Sequence, residues 1–211
     1  MALSTDPQAP ALTGGGGDTE RRGLSWIPIR SLAPRHRPRI VAHLQALSAR
    51  DRYLRFGQPA TEAQIGRYVD LIEFERDEVF GIFNRRLELV AMAHLAYLPR
   101  STALPAAAEF GVSVAAAMRG RGYGARLFEH AVLHARSRGI DTVVIHALSE
   151  NAAMLEIVRA AGATIERSGP ESEARLKLPA DDFDDGAGQR GRPVDDRYGA
   201  PTGRMPHHDK V

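Results

Sequence analysis

Residues 109–128, EFGVSVAAAMRGRGYGARLF, join an alternating apolar run to an amphipathic one through three glycines and two arginines. No other stretch constrains the fold as strongly. Phe110, Val112 and Val114 alternate with Glu109, Gly111 and Ser113, which is the period of a strand with one face on a core. After the glycines, Leu127, Phe128, Ala131, Val132 and Ala135 recur at helical spacing, and Gly139 closes the run as a left-handed cap. When a strand ends in a glycine turn that opens a helix, several backbone N–H groups point outward at the positive end of the helix dipole. The turn is therefore an anion site. Gly120, Gly122 and Gly124 let the backbone approach a bulky phosphate, and Arg119 and Arg121 supply positive charge.

Several readings of that turn compete. A Walker phosphate loop is excluded, because no Lys-Ser/Thr follows the last glycine. Gly120-x-Gly122-x-x-Ala125 fits the dinucleotide fingerprint in form, but too little patterned chain follows for a series of βαβ units, and Glu150 falls late for the ribose-binding acid. A tight turn that binds nothing also stays open on the motif alone.

The rest of the chain supplies a sheet and its helices. Residues 25–32 read as a short edge strand containing Pro28. The run 39–48 carries a helical stripe at Ile40, Val41, Leu44 and Leu47, and ARDRYLRF continues as a second helix or turn. Thr61 and Gln64 form a capping box that starts a third. EVFGIFN and LELVAMAHLAYL read as a hairpin around Arg85 and Arg86, although that pair is not a favoured turn dipeptide. DTVVIHAL is a buried strand, NAAMLEIVRAAGA is a helix capped by Asn151 and closed near Gly162, and ATIER and ARLKL supply two final strands. The predicted order is β, helices, β, β, β, α, β, α, β, β: a mixed α/β (α+β) sheet with helices on its faces.

Composition bounds what such a domain does. The chain has 211 residues, 43% of them hydrophobic, and no cysteine, so neither a disulfide nor a Cys-ligated zinc site is available. No His or carboxylate spacing suggests a metal, and HHD at 207–209 lies in a polar tail. His94 and His146 read as hydrogen-bonded core or sheet-face residues. A net charge of +2 gives no warrant for a nucleic-acid partner. The longest apolar run, 89–98, is too short to span a membrane and the first residues do not read as a secretory signal, so a cytoplasmic protein, monomer or dimer, is expected. Residues 1–23 with their four consecutive glycines, and 180–211, read as disordered tails flanking one domain at 24–179.

These residues carry a resemblance. Arg119-x-x-Gly122-x-Gly124 after EFGVSV, followed by a helix, a strand, Asn151 and AAGA, resembles the acetyl-CoA-binding core of the GNAT N-acetyltransferases across about residues 25–178. LSARDRYLRFGQP at 47–59 is similar to the segment before the catalytic core of Pat-type protein lysine acetyltransferases. Those proteins often carry fused cyclic-nucleotide-binding or acyl-CoA-synthetase-like domains, and this chain resembles their transferase module alone.

The resemblance implies a GNAT-like, mostly antiparallel sheet flanked by helices, and direct transfer of an acetyl group from acetyl-CoA to an amine. Backbone groups of Val112, Ser113 and Val114 would hold the pantetheine arm. The turn formed by Arg119, Gly120, Arg121, Gly122, Tyr123, Gly124 and Ala125 would bind the pyrophosphate, and Asn151 would contact the arm. Glu109 matches the family's catalytic glutamate. Taking a proton from a lysine at pH 7 costs about 4.6 kcal/mol, so a base has work to do. Many relatives place a tyrosine on the helix after the asparagine to protonate the thiolate; Val158 stands there, which leaves the general acid unassigned. A protein lysine is the expected acceptor, with a small amine as the alternative and a non-catalytic acyl-CoA-binding module as a third reading.

Overall fold

The computed structural model describes residues 28–99 and 105–179; the expected tails, and the part of the first strand at 25–27, lie outside the described residues. Among the described residues seven strands and five α-helices follow one another as β1 (Ile29–Ser31), α1 (Arg37–Gln45), α2 (Ala49–Phe56), α3 (Glu62–Asp70), β2 (Glu78–Phe83), β3 (Leu89–Tyr97), β4 (Ala107–Val114), α4 (Tyr123–Ser137), β5 (Thr142–Leu148), α5 (Ala152–Ala160), β6 (Thr164–Ser168) and β7 (Glu171–Lys177).

Local chemistry sets the boundaries. Ser48 caps α2 by accepting from Asp51 N–H at 3.1 Å, and Gly57 ends that helix at φ 72°. The Thr61 capping box forms as predicted, with Thr61 N–H donating to Gln64 Oε1 at 2.8 Å and Gln64 N–H to Thr61 Oγ1 at 3.3 Å. The β2–β3 connection, which lacks a favoured turn dipeptide, is organised by Asn84 instead. Its Oδ1 accepts from the N–H groups of Arg86 and Glu88 at 2.9 and 3.0 Å, and Leu87 adopts φ 62°.

Among the described residues the strands form one sheet in the order β1-β2-β3-β4-β5-β7-β6, in which only β4 and β5 run parallel. Alternation along β2 and β3 divides the core. Phe80, Ile82, Ala91, Ala93 and Leu95 face α4 and α5, meeting Leu127, Phe128 and Val158. Val79 and Met92 face the other way, onto Ile40 and Leu44 of α1 and Ile65 and Val69 of α3. Helices thus cover both faces of a mostly antiparallel sheet, as the sequence predicted.

One departure from regular pairing positions everything else. β4 and β5 pair only at Ala107↔Thr142, Ala108↔Val143 and Glu109↔Val144. From Phe110 onward β4 keeps β3 on one side and, among the described residues, has no strand on the other, while β5 continues against β7. The sheet splays into a wedge whose vertex is Glu109.

Candidate active site: a split sheet with a glycine turn at its mouth

Two adjoining cavities fill the wedge. The first, of 410 Å³, runs along the free edge of β4 to the glycine turn; of the sequence-predicted residues, Val112, Ser113, Val114, Arg119, Gly120, Gly122, Tyr123, Gly124, Ala125 and Asn151 line it. Arg121 is exposed and stands outside that wall. The second, of 660 Å³, holds Glu109 together with Arg55, Tyr68, His146, Glu166 and Glu173. Leu54, Arg55, Val112, Asn151 and Met154 line both cavities, so the two meet there.

The turn has the form of an anion cradle. Gly120 and Gly122 take φ 70° and 75°, a left-handed geometry that costs any residue with a Cβ about 1–2 kcal/mol. The first helical bond of α4 runs from Arg126 N–H to Gly122 O at 3.1 Å, so the amides of residues 122–125 have no acceptor within the helix and project from its positive end. Gly124 serves a different need. A Cβ there would stand 3.1 Å from Ile157 Cδ1, so this glycine lets α4 approach α5.

Helix α2 forms a wall across the wedge, and three ties hold it. Asp51 Oδ1 meets Arg119 Nη2 at 2.5 Å, Arg50 makes a forked pair with Glu150 at 2.9 and 3.1 Å, and Asn151 Nδ2 reaches Leu54 O at 3.5 Å. Burial alone would raise the Asp51 carboxyl, but hydrogen bonds from Ser48 and Arg119 and the Arg119 charge override it and hold it below its ordinary value. The Arg119 guanidinium, expected to neutralise phosphate, is thus paired with α2. Asn151 also caps α5, its Oδ1 accepting from Met154 N–H at 3.2 Å.

The face of β4 turned towards the α2 side carries Glu109, Gly111 and Ser113. Ser113 is buried, and its hydroxyl donates to His43 Nε2 at 2.9 Å while His43 Nδ1 donates to Leu89 O at 3.0 Å. The Ser113 hydroxyl proton is thus committed to His43. Arg55 sits over Gly111, Glu109 is exposed in the large cavity, and His94 hydrogen-bonds Tyr68 and Asp77 as a satisfied sheet histidine should. His146 is exposed, its Nδ1 standing 3.9 Å from Glu173. Arg55, Tyr68 and the β6–β7 carboxylates escaped the sequence reading as site residues; the segment RYLRF was the available signal for Arg55.

The split parallel pair, the amide cradle at a helix start and the carboxylate at the vertex all border one wedge. The sequence matches the acetyltransferase (GNAT) family over residues 43–162, more than half of the chain, and the chain belongs to that family: it is an acyltransferase that uses acetyl-CoA. Solved structures agree on the fold. The GNAT domain of S. lividans PAT superposes with a TM-score of 0.61 at 22% identity, covering 71% of this chain and 89% of that one. A GNAT superfamily phosphinothricin acetyltransferase from Sinorhizobium meliloti, in complex with AcCoA, gives 0.57 at 14% over 72% and 88%. The ribosomal-protein-alanine N-acetyltransferase from Brucella melitensis gives 0.55 at 15% over 72% and 100%. Comparison with curated protein sequences gives no match. Among the described residues, no helix is long and apolar enough to cross a membrane, and no group of three or more His, Asp or Glu is placed to hold a metal ion.

Proposed function

We propose that this enzyme transfers the acetyl group of acetyl-CoA directly to the side-chain amine of a protein lysine, with Glu109 as general base. The observation that carries the reading is the position of Glu109: it stands at the vertex of the wedge, where β4–β5 pairing ends, and lines the acceptor cavity.

The residues fit the co-substrate. The free edge of β4 at 112–114 offers backbone groups to a pantetheine arm lying as a further strand, and the turn from 119 to 125, with the amides at the start of α4, receives the pyrophosphate. Asn151 stands where the two cavities meet, beside the arm. Glu109 takes the ammonium proton, directly or through a water, and so readies the nitrogen for attack on the thioester carbonyl. With no cysteine in the chain, no thiol of the protein carries the acetyl group.

The acceptor cavity favours a cation. Glu109, Glu166, Glu171 and Glu173 line it against Arg55 and Arg167. Its outer wall, the β6–β7 hairpin, is largely exposed, which suits a side chain presented by a larger molecule. A second reading, a small polyamine, draws on Glu166 and Glu173 lying directly opposite each other across β6 and β7; Glu173 already pairs with Arg175, and Glu166 remains to meet a second ammonium.

The test is calorimetric titration with acetyl-CoA followed by a free-thiol assay against a lysine-rich peptide and a polyamine panel. Binding with faster thiol release on the peptide is expected. Release on polyamines alone would replace the acceptor, and absence of acetyl-CoA binding would overturn the reading.

A further inference from the structure

Amide formation strips two protons from an ammonium nitrogen, one before attack and one as the C–N bond is completed. Glu109 accounts for one. On the same face of the sheet, a chain of hydrogen bonds ends in the same cavity.

At its inner end lies Asp77, whose side chain is 2% exposed. Its Oδ2 is 3.1 Å from His94 Nε2. A carboxylate only accepts, so this nitrogen carries the ring proton, and Nδ1 keeps a lone pair. Tyr68 donates its hydroxyl proton to that lone pair across 2.8 Å. The Tyr68 oxygen in turn accepts from Arg55 Nη2 at 2.9 Å, and both Arg55 and Tyr68 line the cavity that holds Glu109. Hydroxyl, imidazole and carboxylate thus stand in the order that activates a hydroxyl in hydrolases, here with tyrosine as the hydroxyl.

Packing alone does not call for this chain. Asp77 already accepts from Arg76 at 2.8 and 3.2 Å and from Tyr97 N–H at 3.3 Å. Apolar side chains at 68 and 94 would fill the same space without the cost of desolvating polar groups.

We infer that Tyr68, backed by His94 and Asp77, is a second proton-transferring catalytic residue, which accepts the proton that nitrogen loses as the amide forms. The inference rests on the acetyl-transfer reading above. As the nitrogen lone pair makes the C–N bond and the C–S electron pair leaves on sulfur, an N–H proton passes to the Tyr68 oxygen and the Tyr68 proton passes to His94 Nδ1. Asp77 holds the resulting imidazolium. The proton then returns along the same path to the thiolate, which leaves as the free thiol, and the relay is restored. The earlier proton goes from the ammonium to Glu109 and on to water.

The groups facing His94 are Asp77, Tyr68 from α3, Arg55 from α2 and Glu109 from β4. Burial holds the imidazole below its ordinary value, aided by Arg55, and the opposing pull of Asp77 and Glu109 does not cancel it. At neutral pH the ring is therefore an empty proton store.

The experiment is the pH profile of kcat for thiol release with a lysine-rich peptide, on the full chain, for wild type, Tyr68→Phe and His94→Gln, with acetyl-CoA titrated into each. The amide introduced by His94→Gln offers an acceptor to Tyr68 and a donor to Asp77 but stores no proton, so this variant decides the matter if Tyr68→Phe is too unstable to assay. The expected result is acetyl-CoA affinity within about twofold of wild type, little change in peptide KM, a roughly 100-fold fall in kcat, and a changed acid limb of the profile. An active wild type whose variants match it in kcat and profile overturns the relay alone. A wild type that releases no thiol with the peptide or with polyamines overturns the transfer reading and the relay with it, and one that releases thiol with polyamines alone has the same variants assayed on the polyamine.

Discussion

The Arg55 guanidinium occupies the space that a side chain at Gly111 would need: a Cβ at 111 would stand 2.6 Å from both Arg55 Cζ and Nη2. The contact seats one cation between the two cavities. Arg55 also lies 5.3 and 5.5 Å from the rings of Phe56 and Tyr68, and its Nε is buried without an acceptor among the described residues. Because the clashing atoms end a flexible side chain, Gly111→Ala should fold but displace Arg55, costing about 1–2 kcal/mol and lowering transfer about tenfold. A double-mutant cycle with Arg55→Ala checks this by thermal melting. The steric cost of Gly111→Ala should largely vanish when Arg55 is absent.

Asp51 and Arg119 join α2 to the glycine turn, and acid should cut that tie. The folded Asp51 carboxyl is held below its ordinary value of 3.8, so its stabilising contribution is complete above that value and is lost as pH falls through the lower folded one. Denaturant midpoints of wild type and Asp51→Asn should differ at pH 7, with wild type the more stable. The gap should close below pH of about 3.5.

Buried histidines give a second pH signature. Burial lowers both His43 and His94 below the ordinary 6.5, so the unfolded chain takes up protons first as pH falls. Stability should be full above about pH 6.5 and decline below it. Thermal melts from pH 8 to pH 5 should show that slope, and His43→Gln should flatten part of it.

Gly122 must hold φ 75° to start α4. Gly122→Ala meets no atom within 4 Å, so its cost is conformational alone, about 1–2 kcal/mol. Twisting of the amide cradle should weaken acetyl-CoA binding about tenfold, measured by titration.

Much of this architecture is legible in the sequence. Hydrophobic period and caps place each strand and helix in order, and the glycine turn, Asn151 and Glu109 all fall at the wedge. Periodicity reports which face of a strand is buried but not which strand lies beside it. The placement of β7 between β5 and β6, and the loss of β4–β5 pairing after Glu109, therefore required the three-dimensional structure. Ser113 shows the same limit: its face was predicted, but its hydroxyl partner, His43, is 70 positions away in the chain. Arg55, Tyr68, Asp77 and His94 lie on four different elements or loops, and no local motif spans them. The hairpin turn escaped a dipeptide rule because Asn84, one place earlier, organises it through its side chain.

The most direct test of the account is single-turnover thiol release by Glu109→Gln with a lysine-rich peptide, beside an acetyl-CoA titration of the same preparation. Acetyl-CoA affinity should be unchanged and the rate at least ~100-fold below wild type, partly restored at high pH where the amine sheds its own proton. An unchanged rate at neutral pH would contradict it and remove Glu109 from the chemistry.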